Sequence, residues 1–358
     1  MFKLIIIAFT AFSFFGCAGS MRIHLPENPK VASYWMSPLM SLEEADSLAR
    51  FHLVIADMEN LVNNRESLVR LKELNPKIKL LCYSNPMELF GRQVLNDRPL
   101  QKEVLTEVSD NRSSYWLKQP NGDPVVFWNG MKMLNLSTLC PAVKGEQYSQ
   151  FIVHFLLERV LSDKIWDGYF MDNSGGNIAW VASWKGNNGI DADNDGANDN
   201  GSELDSAWYR GIRDFLTTIR NAKGKDFILV GNKGSLDFTA DSLLNGKMFE
   251  EFPCNYLGDK TADGWYQCED NYLHTGPYTI VHSRHDKDHR LFVLASALMG
   301  NGYFAYSNDF YRFYPEYEKN LGKALGPAEM KEDYWERMFS HAVVRVWPEE
   351  KRGEIEYR

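Results

Sequence analysis

Two acidic residues in this sequence directly follow short apolar stretches that begin with glycine. Asp172 follows Gly168-Tyr169-Phe170-Met171, and Glu250 follows residues 246–249. Both stretches have the length and composition of buried parallel strands, whose carboxyl ends carry ligands and chemistry in β/α folds. Two carboxyl groups at equivalent strand ends suit hydrolysis of a glycosidic bond. One must protonate the leaving oxygen, and the other must attack the anomeric carbon or activate water.

We interpret Asp172 as the nucleophile or base and Glu250 as the proton donor, because apolar neighbours such as Met248 and Phe249 keep a glutamate protonated. The sequence leaves the reverse assignment open. In the structural alternative Asp172 caps the following loop and Glu250 pairs with a basic neighbour. No cofactor is predicted for catalysis.

Other polar residues also stand at the predicted strand ends, and we expect them to contact a substrate. These candidates are Asp57, Asn85, Asn173, Asn232, Glu251, His282 and Asn308, with Trp35 as a stacking ring. Each has a structural alternative: Asp57 as a helix cap, the asparagines as turn residues, and Trp35 as part of the core. His282 begins a histidine-rich segment that lacks the spacing of a His-Glu-x-x-His metal site, which favours substrate contact or polar packing.

The elements that must position these residues are eight apolar segments, mostly separated by helical patterns. The segments are residues 31–35, 53–57, 78–83, 168–171, 227–230, 248–249, 278–282 and 302–308. This order predicts an α/β fold, a (β/α)8 TIM barrel over residues 31–333. Residues 87–145 form a long connection after the third strand, predicted as an elaborated loop with a small hairpin over the mouth. Residues 334–358 are predicted as a short C-terminal β-hairpin or partial β-domain.

A run of acidic residues after the fourth strand matches a calcium-binding loop, with acids at alternate positions followed by glycine. The ligand positions are Asp191, Asp193, Asp195, Ala197 and Asp199. Ser202 stands where an EF-hand has its bidentate glutamate, so the loop is not a complete EF-hand. The sequence predicts a structural Ca²⁺ that stiffens this loop, and the alternative is a solvated acidic loop.

The N-terminus has the pattern of a bacterial export signal. Lys3 precedes an apolar run over residues 4–15, and Gly16-Cys17 resembles a lipobox. The resemblance implies a signal peptide over residues 1–17, lipidation of Cys17, a tether over residues 18–30, and anchoring in the cell envelope. The alternative is an ordinary signal peptide with an incidental cysteine. Export also permits a disulfide, for which Cys254 and Cys268 are the best candidates.

Composition narrows the range of partners. The chain has 358 residues, a net charge of −9 and no basic block, which argues against binding to nucleic acid. It contains 10 tryptophans, 17 tyrosines and 21 phenylalanines. Such rings stack on sugar faces, although most of them are expected in the core. The expected partners are therefore a carbohydrate substrate and, through Cys17, a membrane.

Residues 166–173, Trp-Asp-Gly-Tyr-Phe-Met-Asp-Asn, resemble the Asp-Gly…Asp-Asn signature of bacterial TIM-barrel glycoside hydrolases. The nearest likeness is to hypothetical glycosyl hydrolase family 15, which is related to the endo-α-1,4-polygalactosaminidases. Residues 191–196, 230–232, 248–250 and 314–327 support the resemblance, which covers about residues 30–350. It implies a glycan substrate and a two-acid mechanism.

The leading hypothesis is an exported, lipid-anchored glycoside hydrolase that cleaves a poly- or oligosaccharide with the carboxylate pair. The alternative is a non-catalytic glycan-binding lipoprotein on the same barrel. A third hypothesis is a metal-dependent hydrolase that uses the histidines around His282. Only the first hypothesis requires Asp172 and Glu250 to lie within reach of one bond.

Overall fold

The computed structural model describes residues 23–91, 95–128, 130–232, 243–252, 262–283, 287–306 and 312–358. The predictions for Cys17, Asn308 and the signal peptide lie outside these residues, as does Cys254 of the suggested disulfide. Within the described ranges the strands are β1 (Val31–Trp35), β2 (Leu53–Asp57), β3 (Lys79–Ser84), β4 (Glu88–Phe90), β5 (Met131–Met133), β6 (Gly168–Met171), β7 (Ile228–Asn232), β8 (Gly246–Phe249), β9 (Ile280–Ser283), β10 (Tyr303–Tyr306), β11 (Glu329–Met330), β12 (Trp335–Met338), β13 (Ala342–Trp347) and β14 (Arg352–Tyr357).

The helices are α1 (Leu42–Leu48), α2 (Asn60–Asn63), α3 (Arg65–Leu74), α4 (Pro99–Asn111), α5 (Tyr148–Arg159), α6 (Gly201–Lys223), α7 (Ala262–Leu273), α8 (Lys287–Met299) and α9 (Pro315–Glu318). Two 3₁₀ segments, Ser113–Tyr115 and Ala179–Gly186, add to them. None of the helices described is long and apolar enough to cross a membrane.

Eight parallel strands close into a barrel in the order β1-β10-β9-β8-β7-β6-β3-β2, which confirms the predicted TIM barrel. Strand β2 is buried along its whole length, as expected for a strand covered on both faces. Its residues alternate between two cores. Leu53 and Ile55 face the barrel interior, and Val54 and Ala56 face the layer between barrel and helices.

The Asp-Gly pair before Tyr169 holds neighbouring strands of the barrel together and does not contribute to the mouth. A Cβ atom on Gly168 would lie 2.2 Å from the carbonyl oxygen of Ile228, so only glycine permits β6 and β7 to pair here. The Asp167 carboxylate accepts from the backbone N–H of Leu80 at 2.8 Å and also binds Lys72. Asp167 therefore ties β6 to β3, and of the two aspartates in this motif only Asp172 lies at the mouth.

The connection from β3 to β6 is an insertion, as predicted, and it contains more regular structure than a loop. Strands β4 and β5 pair as a two-stranded antiparallel sheet in place of the predicted hairpin, since α4 lies between them in the chain. The backbone N–H of Leu134 donates to the carbonyl of Met87, and Tyr148 of α5 donates to the carbonyl of Pro86 at 2.6 Å. The insertion is thereby held against the carboxyl end of β3.

The C-terminal region forms a four-stranded antiparallel sheet in the order β11-β12-β13-β14. The predicted hairpin is present as β13 and β14, and two further strands precede it from Glu329. Arg337 of β12 donates to the carbonyl of Leu298 at 3.0 Å and to Asn301 at 2.7 Å. These bonds fasten the sheet to the end of α8, away from the ends of β6 and β8.

Candidate active site

Asp172 and Glu250 converge on one side chain at the mouth of the barrel. Strands β6, β7 and β8 are neighbours, and Asn232 at the end of β7 lies between the two acids. Its Nδ2 donates to Asp172 Oδ1 at 2.9 Å and to Glu250 Oε2 at 3.0 Å. Because both bonds share one nitrogen, the two carboxylate oxygens are at most about 5.9 Å apart. The pair can therefore reach a single glycosidic bond.

Asp172 accepts hydrogen bonds on both oxygens. The Tyr83 hydroxyl donates to Oδ2 at 2.7 Å, and the backbone N–H of Asn173 donates to Oδ1 at 2.9 Å. Burial raises the pKa of Asp172, the bonds from Tyr83 and Asn232 oppose that rise, and the nearby charge of Glu250 adds to it. The result is a carboxylate that is oriented by donors and is more basic than an ordinary aspartate.

Aromatic rings from four strands pack together inside the barrel, and one of them, Tyr83, contacts Asp172. The Tyr34 ring lies 5.8 Å from Tyr83, 5.5 Å from Phe170 and 6.0 Å from His282, measured between centroids. Burial and the charge of Asp172 raise the pKa of Tyr83 well above its usual range. Tyr83 therefore keeps its proton and donates to Asp172 at neutral pH.

A third carboxyl group, that of Glu88 in β4, lies beside the pair and was not among the predicted site residues. It is 2% exposed. It accepts from Asn85 Nδ2 at 3.0 Å and from the backbone N–H of Trp128 at 3.1 Å, and Asn173 Nδ2 lies 3.5 Å away. Burial raises the pKa of Glu88 to about 7, against the opposing effect of these hydrogen bonds. Glu88 links the insertion to the loop that follows Asp172.

The family model for hypothetical glycosyl hydrolase family 15 matches residues 72–343. The chain belongs to this family. The match confirms the resemblance seen in the sequence, and it extends from α3 to the first residues of β13, a range that includes both acids and Asn232. Membership places the chain among the glycoside hydrolases and supports a glycan-processing function. No curated protein matches the family 15 chain.

The solved structures that resemble this fold belong to much longer proteins. The family 31 dextranase of Flavobacterium johnsoniae, complexed with glucose, has a TM-score of 0.48 and 10% identity, over 83% of this chain and 39% of its own. The cycloalternan-forming enzyme of Listeria monocytogenes, complexed with a pentasaccharide substrate, has a TM-score of 0.48 and 10% identity. The likeness covers 84% of this chain and 30% of the enzyme. The maltogenic amylase of S. marinus has a TM-score of 0.44 and 11% identity. The likeness covers 85% of this chain and 54% of the amylase. The barrel assignment rests on the strand pairings of the family 15 chain itself.

Three further predicted residues of the family 15 chain have structural partners. Asn85 closes a turn by accepting from the backbone N–H of Met87 at 3.2 Å. Asn173 has a left-handed backbone, φ 51°, which asparagine tolerates. Asp57 is fully buried and pairs with Arg98 of the insertion at 2.5 Å. The other oxygen of Asp57 accepts from the backbone N–H of Glu59 at 3.0 Å, directly before α2, so Asp57 ties β2 both to the insertion and to the start of that helix.

The other predicted residues lie on different faces. Trp35 is 6% exposed, packs in the layer between barrel and helices, and donates to the carbonyl of Leu39 at 3.1 Å. Its neighbour Tyr34 faces the interior instead. His282 is buried against Tyr34, and Glu251 is half-buried with a left-handed backbone, φ 57°.

The acidic loop has the carboxylates of Asp191, Asp193 and Asp195 within 4.8 Å of one another. The backbone N–H of Asp195 donates to Asp191 at 3.0 Å and to Asp193 at 3.1 Å. Burial raises the pKa of Asp199, and the charges of the three other acids raise it further. Hard oxygen donors in a tight turn match the ligand chemistry of Ca²⁺.

Glu88 is expected to make stability depend on pH. Its pKa is about 7 in the folded protein against 4.5 for an ordinary glutamate, so the folded state binds the proton more tightly. The free energy of unfolding should therefore fall as pH rises from 4.5 to 7, by up to about 1.4 kcal/mol per pH unit. Glu59, whose pKa burial also raises to about 7, adds to this slope.

Glu88→Gln should remove the share of this slope that belongs to Glu88. Urea unfolding at about pH 5 and about pH 7 measures the change. Glu66→Gln, at an exposed position of α3, is the matched control and should keep the wild-type slope. A Glu88→Gln protein with the wild-type slope would contradict the raised pKa.

Proposed function

We propose that the protein is an exported glycoside hydrolase that cleaves an O-glycosidic bond in a poly- or oligosaccharide with Asp172 and Glu250. The observation that carries the proposal is the shared Asn232 amide, which holds both carboxylates at one point of the mouth. An asparagine with a purely structural role could donate to backbone carbonyls and would not need two carboxylates as acceptors. Family membership supports the same reaction class.

In this mechanism Asp172 is the nucleophile, because three donors bind its carboxylate, favour its ionised form and orient both of its oxygens. An Asp172 oxygen attacks the anomeric carbon while the bond to the leaving oxygen breaks. Glu250 gives its proton to that oxygen, and the first sugar leaves. Glu250 then takes a proton from water, whose oxygen displaces Asp172 from the anomeric carbon.

The spacing of the acids favours retention of configuration. Retaining enzymes have carboxyl groups about 5–5.5 Å apart, whereas inverting enzymes need about 6.5–9.5 Å to admit a water molecule. The two Asn232 bonds hold Asp172 Oδ1 and Glu250 Oε2 within about 5.9 Å of each other, which is nearer to the retaining range than to the inverting range. We therefore propose a covalent glycosyl-enzyme intermediate on Asp172.

Release of new reducing ends from a panel of polysaccharides tests the reaction. The wild type should release them from at least one polymer, and Asp172→Asn should not. A wild-type protein that binds a polymer in the panel and releases no reducing ends would contradict the proposal and favour the non-catalytic glycan-binding alternative.

We also propose that the protein is lipid-anchored in the bacterial cell envelope through Cys17. The support is the apolar run before Gly16-Cys17 in the sequence. After expression in a bacterium, the mature protein should partition into the detergent phase of a Triton X-114 separation, and Cys17→Ser should move it to the aqueous phase. Aqueous partition of the wild type would contradict the anchor.

We propose a structural Ca²⁺ in the acidic loop, held by Asp191, Asp193 and Asp195 with further oxygens from Ala197 and Asp199. The convergence of the first three carboxylates supports this assignment. Calcium at a hundred times its Kd should stabilise the protein by about 2.7 kcal/mol. Thermal unfolding with CaCl₂ and with EDTA measures it, and Asp193→Asn should remove the difference. A wild-type protein with the same melting temperature in CaCl₂ and in EDTA would contradict the site.

A further inference from the structure

The ten tryptophans of the chain divide sharply by exposure. Trp128, Trp180 and Trp184 expose 51%, 46% and 43% of their surface, whereas no other tryptophan is among the exposed large apolar residues. The three lie together, and we define them as the tryptophan platform. Clustered exposed aromatics mark binding surfaces more often than scattered ones do.

We propose that the tryptophan platform binds neutral sugar units of the substrate chain, beyond the units that flank the scissile bond. This inference rests on the proposed function, and it assigns a polymer or long oligomer as the substrate class. The apolar C–H faces of pyranose rings match the faces of indole rings, which bury much area at low entropic cost.

Ring contacts make the platform continuous. Buried Phe127 lies between two of its members, 5.4 Å from Trp128 and 5.5 Å from Trp180, and Trp184 lies 5.7 Å from Trp180. The Trp184 Nε1–H donates to the carbonyl of Phe127 at 3.3 Å. Asn187 bonds to both the N–H and the carbonyl of Val126, at 3.1 and 2.8 Å. The loop that carries Trp128 and the 3₁₀ segment that carries Trp180 and Trp184 are thus held together in a fixed arrangement.

The platform adjoins the acid pair. The backbone N–H of Trp128 donates to Glu88 at 3.1 Å, and Glu88 in turn contacts Asn173, the residue after Asp172. A glycan whose reacting bond lies at Asp172 therefore extends over the platform after a few sugar units. This continuity favours the substrate chain as the occupant over a second copy of the protein or a lipid surface.

Charge selects the class of sugar. Lys185 has a left-handed backbone, φ 50°, at which glycine would cost less, and its Nζ lies 5.1 Å from the Trp128 centroid and 6.0 Å from that of Trp184. This cation disfavours amino sugars that carry a positive charge. The carboxyl groups of Glu88, Asp172 and Glu250, which lie next to the platform, disfavour polyanionic glycans. Neutral pyranoses remain, with Lys185 as a donor to their hydroxyl groups.

Affinity electrophoresis in native gels that contain dextran, soluble starch, polygalacturonate or chitosan tests the platform. The protein used is Asp172→Asn, which does not consume the polymer, combined with Trp180→Ala or Trp184→Ala. A neutral polymer should retard the parent, and each lost indole should weaken its binding by roughly threefold to tenfold. Leu325→Ala, at another exposed apolar position, is the control and should bind as the parent does.

Retardation by neither neutral polymer, retardation by chitosan or polygalacturonate alone, or undiminished binding of the tryptophan variants would each overturn the platform. A dimer seen in gel filtration that the tryptophan variants lose would also overturn it, because the occupant would then be a second copy. Binding to phospholipid vesicles that these variants lose would overturn it in favour of a lipid surface. Reducing-end release by the wild type separates the two proposals. Polymer binding that depends on the platform without hydrolysis overturns the proposed function alone, and hydrolysis without such binding overturns the platform alone.

Discussion

Asp172→Asn is expected to lower kcat by roughly 10³- to 10⁵-fold on any glycan that the wild type hydrolyses, since the variant lacks the carboxylate that the proposed mechanism uses to attack the anomeric carbon. Asparagine keeps the size of the side chain. Its oxygen accepts from Asn232 and from the backbone N–H of Asn173, and its amide donates to the Tyr83 hydroxyl. Steady-state rates of reducing-end release measure the effect.

The stability of this variant separates lost chemistry from lost folding. Burial raises the pKa of Asp172, so its ionised form costs the folded protein free energy at every pH above that pKa. Asp172→Asn removes this cost and should melt at the same temperature as the wild type or higher at neutral pH. Asp46→Asn, at an exposed ion pair with Arg70, should keep wild-type activity. An Asp172→Asn protein with wild-type kcat would end the assignment.

Glu250→Gln is expected to lower kcat by roughly 10²- to 10⁴-fold on natural glycans, because the leaving sugar oxygen then receives no proton. The first step of an aryl glycoside with an acidic phenol needs no such proton. That step, followed as the burst of phenol release, should keep most of its rate in Glu250→Gln and lose it in Asp172→Asn. The comparison decides which acid is the proton donor.

A burst that is kept in Asp172→Asn and lost in Glu250→Gln would reverse the two roles. Glu66→Gln on α3 is the control for a lost surface carboxylate and should match the wild type in both assays. Full activity of Glu250→Gln on natural glycans would remove Glu250 from the mechanism.

The ends of the barrel strands could be predicted from the sequence, because a parallel strand in a barrel is buried on both faces and ends at a polar residue. Asp172, Asn232 and Glu250 follow this rule, and the structure brings all three together. Residues inside a strand were harder to place, since burial on both faces hides which side chains point inward. Trp35 was predicted at the mouth, yet Tyr34 faces the interior, in alternation with Ala32.

Tyr83 and Glu88 were missed for different reasons. Tyr83 lies two residues after Leu81, and this spacing of two gave a signal that both face the barrel interior. Glu88 has no such signal, because its position depends on how the insertion folds back over β3. The tryptophan platform depends likewise on contacts between residues far apart in the chain, such as Phe127 with Trp180.

The central claim is that Asp172 and Glu250 act on the same bond, and the double variant Asp172→Asn/Glu250→Gln tests it most directly. Reducing-end release from the best polymer of the panel is measured for the wild type, both single variants and the double variant. If the acids form one unit, the double variant should be no more than about threefold slower than the slower single variant. A double variant slowed by the product of the two single effects would contradict the account.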